Sequence, residues 1–304
     1  MANPFLSAVI VAAGKSQRMG FDKVLTPISG IPLIVHTLQG ILTSPLVKEI
    51  ILVVRPETKS SFEQAVRSLD TFIPVKYVEG GAERQDSVLA GIEASDSNNE
   101  FVMVHDAARP FVSAEVIRMV FEAAQESGAA VCGHPATDTL KEMGENQEVA
   151  KTLDRSKIWA VQTPQIFKRD LILKAYQANR QSGTVVTDDT AAVEKIGVAV
   201  KVVHYPEVNF KITSPSDWAL ARTFLAVRAT KEAPGLAIRK NIHDINNQLT
   251  AVFGYAFLLQ SELEGNETVK NYLDQIDIAG KNCQELVANI QRLARDIFPK
   301  ENEK

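Results

Sequence analysis

Two periodicities divide the chain. Up to about residue 226, short apolar runs alternate with longer segments whose apolar positions recur every three or four residues. The runs over 6–11, 49–54, 75–78, 101–105, 129–133 and 200–204 predict strands. The segments 31–42, 57–69, 84–94, 114–126, 168–181, 189–196 and 215–226 predict helices. Strands that are apolar almost throughout have no solvent face, so helices must cover both sides of the sheet. The class is therefore α/β with a mostly parallel sheet, and ligands are expected beyond the carboxyl ends of the strands.

Residues 139–152 break this pattern. Thr139-Leu140-Lys141-Glu142-Met143 and Glu148-Val149-Ala150-Lys151-Thr152 flank Gly144-Glu145-Asn146-Gln147. That arrangement predicts a β-hairpin arm over about 137–155, a natural contact between two subunits. Composition shifts again at 229–235, so 230–235 reads as a linker between a domain over 1–229 and a second unit over 236–304. In that unit apolar residues hold 3-4 spacing from Ile242 to Leu263 and again from Val269 to Ile297, the second stripe including Tyr272, Ile276, Ala279, Cys283 and Leu286. Two such stripes predict an α-helical hairpin whose apolar seam calls for a second copy in a four-helix bundle.

Composition narrows the class without changing it. An apolar share of 45% and a charged share of 23% are those of a soluble globular protein. A net charge of -4 argues against wholesale nucleic-acid binding but allows a local basic pocket. No run reaches the length of a membrane span, and the N-terminus lacks the basic and apolar segments of a signal peptide, which predicts a cytoplasmic protein. The two cysteines, Cys132 and Cys283, read as free thiols.

The candidate chemistry lies in the loops. After the first strand, the stretch 14–23 holds Gly14, Lys15, Arg18, Gly20 and Lys23. Glycines let backbone approach a polyphosphate and cations offset its charge, although the spacing matches neither the ATPase loop nor the dinucleotide fingerprint. Gly80-Gly81 precedes a helix start carrying Ser87, where free N–H groups suit a base or a phosphate. His105-Asp106 ends a strand; a carboxylate there serves a metal-bound triphosphate or merely caps a helix. Asp154-Arg155, Gln162-Thr163-Pro164-Gln165, Thr187-Asp188-Asp189 and 209–213 complete the set. His36, His134 and His204 lack partners at ligand spacing and read as packing residues.

Six ordered motifs, AAGKSQRMGFDK (12–23), GGAERQDSV (80–88), VHDAARPF (104–111), TLDRSKIWAVQTPQ (152–165), VTDDTAAVE (186–194) and NFKITSPSD (209–217), resemble those of the 2-C-methyl-D-erythritol 4-phosphate cytidylyltransferases of the non-mevalonate isoprenoid pathway. The resemblance implies a Rossmann-like homodimer that takes CTP, Mg²⁺ or another divalent cation, and a sugar-alcohol phosphate. By it, Arg18 and Lys23 stabilise the transition state, while Arg155 and Lys211 position the acceptor phosphate. Asp106 contacts the substrate or metal region, and Thr139 holds the acceptor phosphate. Ala12, Ala13, Gly14, Gly81 and Ser87 line the cytidine pocket, and Ala107, Arg109 and Thr163 also bind substrate. Arg155 and Thr139 flank the arm, so they are candidates to serve the partner's site. Asp22-Lys23-Val24 stands where that family commonly has Pro-Lys-Gln. Related transferases acting on another polyol phosphate, such as ribitol 5-phosphate, share most of these motifs.

Residues 241–249 resemble the phosphoacceptor box of sensor histidine kinases, and the match to their dimerisation helices covers about 236–298. That resemblance makes His243 a candidate phosphoacceptor and a histidine kinase or response regulator a candidate partner. Alternatively the hairpin only dimerises. A signalling protein that uses the transferase domain as a nucleotide sensor is the competing function.

Overall fold

The computed structural model describes residues 5–14, 19–69, 71–183, 185–186 and 188–228, with 273, 274, 276, 278, 280, 281, 284, 287 and 288. The chain forms two compact units, Met1–Arg222 and Thr223–Lys304.

The first unit opens with β1 (Leu6–Val11), a short ribbon of β2 (Pro27–Ile28) and β3 (Ile31–Pro32), α1 (Leu33–Leu42), β4 (Val47–Val54) and α2 (Lys59–Val66). Next come β5 (Val75–Glu79), α3 (Arg84–Glu93), β6 (Phe101–Asp106), α4 (Ala114–Ser127) and β7 (Ala129–Pro135). The arm is β8 (Lys141–Met143) and β9 (Val149–Thr152), and β10 (Trp159–Lys168), α5 (Arg169–Gln181), α6 (Asp189–Glu194) and β11 (Lys201–His204) follow. A further helix covers 215–228.

Seven strands make one sheet in the order β11-β7-β10-β6-β1-β4-β5. Every neighbouring pair is parallel except those of β10, which runs antiparallel to both β6 and β7. Alternation explains the apolar strands. On β1, Ala8 and Ile10 pack with Ile34, Leu38 and Phe121 on one face, while Val9 packs with Val88, Ile92 and Val193 on the other. From Leu6 to Ile10 each residue of β1 is thus buried whichever way it points. Parallel register brings Val11 level with both Val53 and Asp106, so the loops after β1, β4 and β6 emerge side by side.

Two expectations change. Helix 31–42 begins at Leu33, because Ile31 and Pro32 pair with Ile28 and Pro27 in the ribbon. Strand β10 stands where the pattern predicts no strand. Its polar residues and Pro164 hide it, since proline lacks a ladder donor. Gln162, Thr163 and Pro164 stand where the pairing with β7 is interrupted between Val161 and Gln165, and a proline costs nothing there.

The hairpin arm forms as the pattern predicts, with β8 and β9 antiparallel and exposed throughout. Beyond residue 228 the nine described residues are helical, and Leu273, Gly280 and Val287 are buried at a seven-residue spacing. Ile276, assigned by the pattern to the apolar stripe, is 40% exposed. The rest of the predicted hairpin, His243 and Cys283 included, lies outside the described residues. No helix among the described residues is long and apolar enough to cross a membrane.

Candidate active site

Strand β6 delivers Asp106 to the middle of the carboxyl edge. Its carboxylate lies 2.9 Å from Lys211 Nζ, 3.5 Å from Arg109 Nε and 3.6 Å from Arg84 Nη2. Burial would raise the Asp106 carboxyl, but Lys211, then Arg84 and Arg109, hold it well below the usual carboxylate range. It is an anion at every physiological pH.

Lys211 arrives from a segment with no regular structure, so its position depends on ties to neighbours. Ile212 N–H donates to Ala108 O at 2.9 Å, and Lys23 Nζ donates to Ile212 O at 2.7 Å. Arg109 Nη1 donates to Asn209 O at 2.8 Å, and Asn209 Nδ2 donates to Thr163 O at 2.9 Å. These bonds bring Lys23, Arg109, Thr163 and Lys211 together from four separate stretches of chain. Lys211 keeps 37% of its side chain exposed, which leaves its ammonium within reach of a ligand.

Arg84 opens α3 and carries the second link. Asp189, fully buried at the start of α6, accepts from Arg84 Nη1 at 2.9 Å and Nη2 at 2.8 Å. The Tyr176 hydroxyl donates to the same carboxylate. Burial lowers the Arg84 pKa, yet the charge and hydrogen bonds of Asp189, joined by the charge of Asp106, together outweigh it and hold the guanidinium more firmly protonated than usual. Sequence reasoning placed Arg84, Asn209 and Asp189 inside the motifs without giving them roles. Tyr176 carried no signal, because on an amphipathic helix it reads as core.

The nucleotide side is built on close approach. Ala12 N–H donates to Val53 O and Ala107 N–H to Val11 O, fixing both loops to the strand ends. A Cβ on Gly80 would sit 2.5 Å from Ala13 Cβ and 2.9 Å from Ser87 Oγ. Only glycine lets these two loops meet. Ser87 Oγ accepts from Gly81 N–H at 3.1 Å and donates to Glu83 O at 3.2 Å. A Cβ on Gly14 would meet nothing within 4 Å.

Not every expected residue joins this cluster. Thr139 and Arg155 are exposed on or beside the arm, and Arg155 Nη1 donates to Thr137 O at the arm's own base. Arg18 and Thr187 lie outside the described residues. The departure at Asp22 is neutralised: its carboxylate pairs with Arg55 at 2.8 Å, and Val24 beside Lys23 is buried in the core. His105 is fully buried, and burial pushes its pKa down to about 4, so it is a neutral imidazole near pH 7. The buried Cys132 thiol is pushed up to about 12 by burial, which makes it unreactive. Among the described residues no group of three His, Cys, Asp or Glu side chains is placed to hold a metal. A single carboxylate fits Mg²⁺ that arrives on substrate phosphates and keeps several waters, rather than a cage built by protein alone.

Residues 6–227 match the model of the family described as IspD, 2-C-methyl-D-erythritol 4-phosphate cytidylyltransferase. The chain belongs to this family. A cytidylyltransferase of that name from Bacillus cereus is 41% identical over 222 residues, which cover 72% of this chain and 97% of the relative. A 4-diphosphocytidyl-2C-methyl-D-erythritol synthase from Anaerococcus prevotii superposes with a TM-score of 0.66 at 31% identity, covering 74% of this chain and 97% of that one. The cytidylyltransferase of Thermus thermophilus gives 0.61 at 33%, covering 72% and 98%. The IspD match ends at residue 227, so the family accounts for the strand-end cluster and the arm but not for the second unit. As an IspD family member the chain is a nucleotidyltransferase, and its fold is that of the solved relatives.

Proposed function

We propose that the cations gathered about Asp106 carry out the family's reaction. The enzyme transfers CMP from CTP to 2-C-methyl-D-erythritol 4-phosphate, forming 4-diphosphocytidyl-2-C-methyl-D-erythritol and releasing pyrophosphate. An oxygen of the acceptor phosphate bonds to the α-phosphorus of CTP. The bond from that phosphorus to the bridging oxygen breaks, and its electron pair leaves on pyrophosphate. The acceptor phosphate has a second pKa of about 6, so near neutral pH it is already a nucleophilic anion. No general base is needed, and the buried neutral His105 is consistent with that.

The obstacle is one anion approaching another. Catalysis therefore rests on in-line positioning and on charge neutralisation at the pentacoordinate α-phosphorus. In this reading Lys23 and Arg18 face the triphosphate, and Lys211 turns from Asp106 to the acceptor phosphate. Arg109 and Thr163 shape the acceptor side. Ala12, Ala13, Gly14, Gly81, Ser87 and Ala107 receive the cytidine. Arg155 and Thr139, which the arm holds away from the Asp106 cluster's hydrogen bonds, serve the site of a second subunit in a homodimer. Asp106 would be the protein's carboxylate ligand to Mg²⁺ or a similar cation, which when bound supplies further neutralisation of the triphosphate.

The observation that carries the proposal is the convergence of Lys211, Arg109 and Arg84 on Asp106 at the end of β6. CTP-dependent pyrophosphate release, measured with 2-C-methyl-D-erythritol 4-phosphate and with ribitol 5-phosphate, tests it. Turnover with the first acceptor is expected; turnover with ribitol 5-phosphate alone would overturn the assignment. For the second unit, the box over 241–249 suits a dimerisation hairpin, with phosphotransfer through His243 as the alternative. Labelling by a histidine kinase that persists unchanged in His243→Gln would remove the phosphoacceptor role.

A further inference from the structure

Behind Asp106 runs a closed circuit of hydrogen bonds in which His105 has no part in the transfer chemistry described so far. Asp106 N–H donates to Thr163 Oγ1 at 3.1 Å, and Thr163 Oγ1 lies 3.0 Å from His105 Nδ1. His105 Nε2 lies 3.2 Å from the carbonyl oxygen of Arg109. Arg109 Nη1 donates to Asn209 O, and Asn209 Nδ2 returns to Thr163 O. His105, Thr163 and Asn209 are all buried.

Donor and acceptor chemistry fixes each proton. A carbonyl oxygen only accepts, so His105 Nε2 must carry hydrogen toward Arg109. The Thr163 hydroxyl already accepts from Asp106 N–H, and its own proton completes the circuit by donation to a bare Nδ1. The opposite tautomer would set the Nε2 lone pair against the carbonyl lone pairs. An imidazolium would leave the hydroxyl proton without this acceptor.

We propose that His105 is a positioning residue for the transfer: as the neutral Nε2–H imidazole it ties Thr163 to the Arg109 carbonyl. In doing so it stiffens the turn, closed by Arg109 N–H to Asp106 O, that presents Asp106 and Arg109 to substrate. The inference rests on the cytidylyltransferase reading for its kinetic consequence, but the tautomer stands on geometry alone. The cytidine pocket is built on the loops after β1 and β5 as well as on Ala107. Slackening the turn after β6 should therefore harm the chemical step more than CTP binding.

The full-length protein with ¹⁵N-labelled histidine is the sample for the test. A histidine resonance with protonated Nε2 and bare Nδ1 is expected, missing in His105→Asn and displaced in Thr163→Val. Kinetics then separates bonding from bulk. His105→Asn keeps an acceptor near Nδ1, His105→Gln keeps a donor near Nε2, and His105→Phe keeps volume with neither. With CTP and 2-C-methyl-D-erythritol 4-phosphate, kcat should fall about tenfold in the Asn and Gln variants and further in Phe, while KM for CTP holds within about twofold. A wild-type Nδ1–H tautomer would overturn the proposal, as would folded Gln and Asn variants with wild-type kcat. If the wild type itself shows no turnover, the activity reading fails, and the tautomer still decides the circuit.

Discussion

At the scale of single residues, charge decides what each side chain does. Lys211 and Glu49 show the contrast. Lys211 is partly exposed and its one ion pair among the described residues, to Asp106, lies at the sheet edge, so its removal should cost rate rather than fold. Lys211→Met is expected to lower kcat/KM by about 10²–10³, the loss seen when one transition-state donor is removed. Its thermal midpoint should stay close to wild type, and steady-state kinetics beside a melting curve checks both. Glu49 sits in β4 and takes Ser7, Asp96 N–H, Asn99 and Lys76 on its carboxylate. Burial pushes its pKa up, but Lys76, Ser7 and the Asp96 N–H outweigh burial and leave it below the ordinary 4.5. A depressed carboxylate contributes stability above its unfolded pKa and loses it as pH falls through the folded one. Glu49→Gln should therefore flatten the acid limb of the stability curve below 4.5, read by urea unfolding at stepped pH. An unchanged slope would show that the ion pair with Lys76 does not outlast desolvation.

At the scale of elements, sequence pattern and structure agree wherever burial is uniform. Strands β1, β4 and β6 were legible because helices on both faces leave apolar runs, Ala8–Ile10, Ile50–Val54 and Val102–Val104, in which successive residues are buried on opposite sides. The arm was legible because a Gly-Glu-Asn-Gln turn separates two polar, exposed strands. β10 was not, since its middle serves the site: Thr163 and Gln162 bond to Asn209, and Pro164 fills a break in pairing. Residues chosen for chemistry erase the strand signal where they stand. The same applies to Asp189, whose place in VTDDTAAVE marked a helix start but not its grip on Arg84. Helix packing adds a constraint that propensity alone would misjudge. Gly40 lies inside α1, where alanine would ordinarily gain about 1 kcal/mol. A Cβ there would clash with the Val112 carbonyl oxygen, which is backbone and cannot swing aside. Gly40→Ala is expected to destabilise by roughly 1–3 kcal/mol, the usual cost of overpacking, with a lower melting temperature as the readout.

At the scale of the molecule, three of the four cations the motifs select are described, and their hydrogen bonds do not join them in one cluster. Lys23 and Lys211 are joined through Ile212, whereas Arg155 bonds to the base of the exposed arm. A side chain needed at a phosphate yet held on a projecting hairpin makes sense if the arm crosses to a second copy. Two-fold symmetry then makes the exchange mutual, each arm completing the other subunit's site. This has a consequence that no single-chain arrangement shares. Arg155→Ala and Lys211→Ala homodimers should each be nearly inactive. When equal amounts are unfolded together and refolded, about half of the dimers will be mixed. In a mixed dimer, the site with native Lys211 receives native Arg155 from its partner, while the other site loses both. About a quarter of wild-type activity should therefore return. If Arg155 instead acts on the Lys211 of its own chain, every site in every dimer carries one defect, and mixing restores nothing.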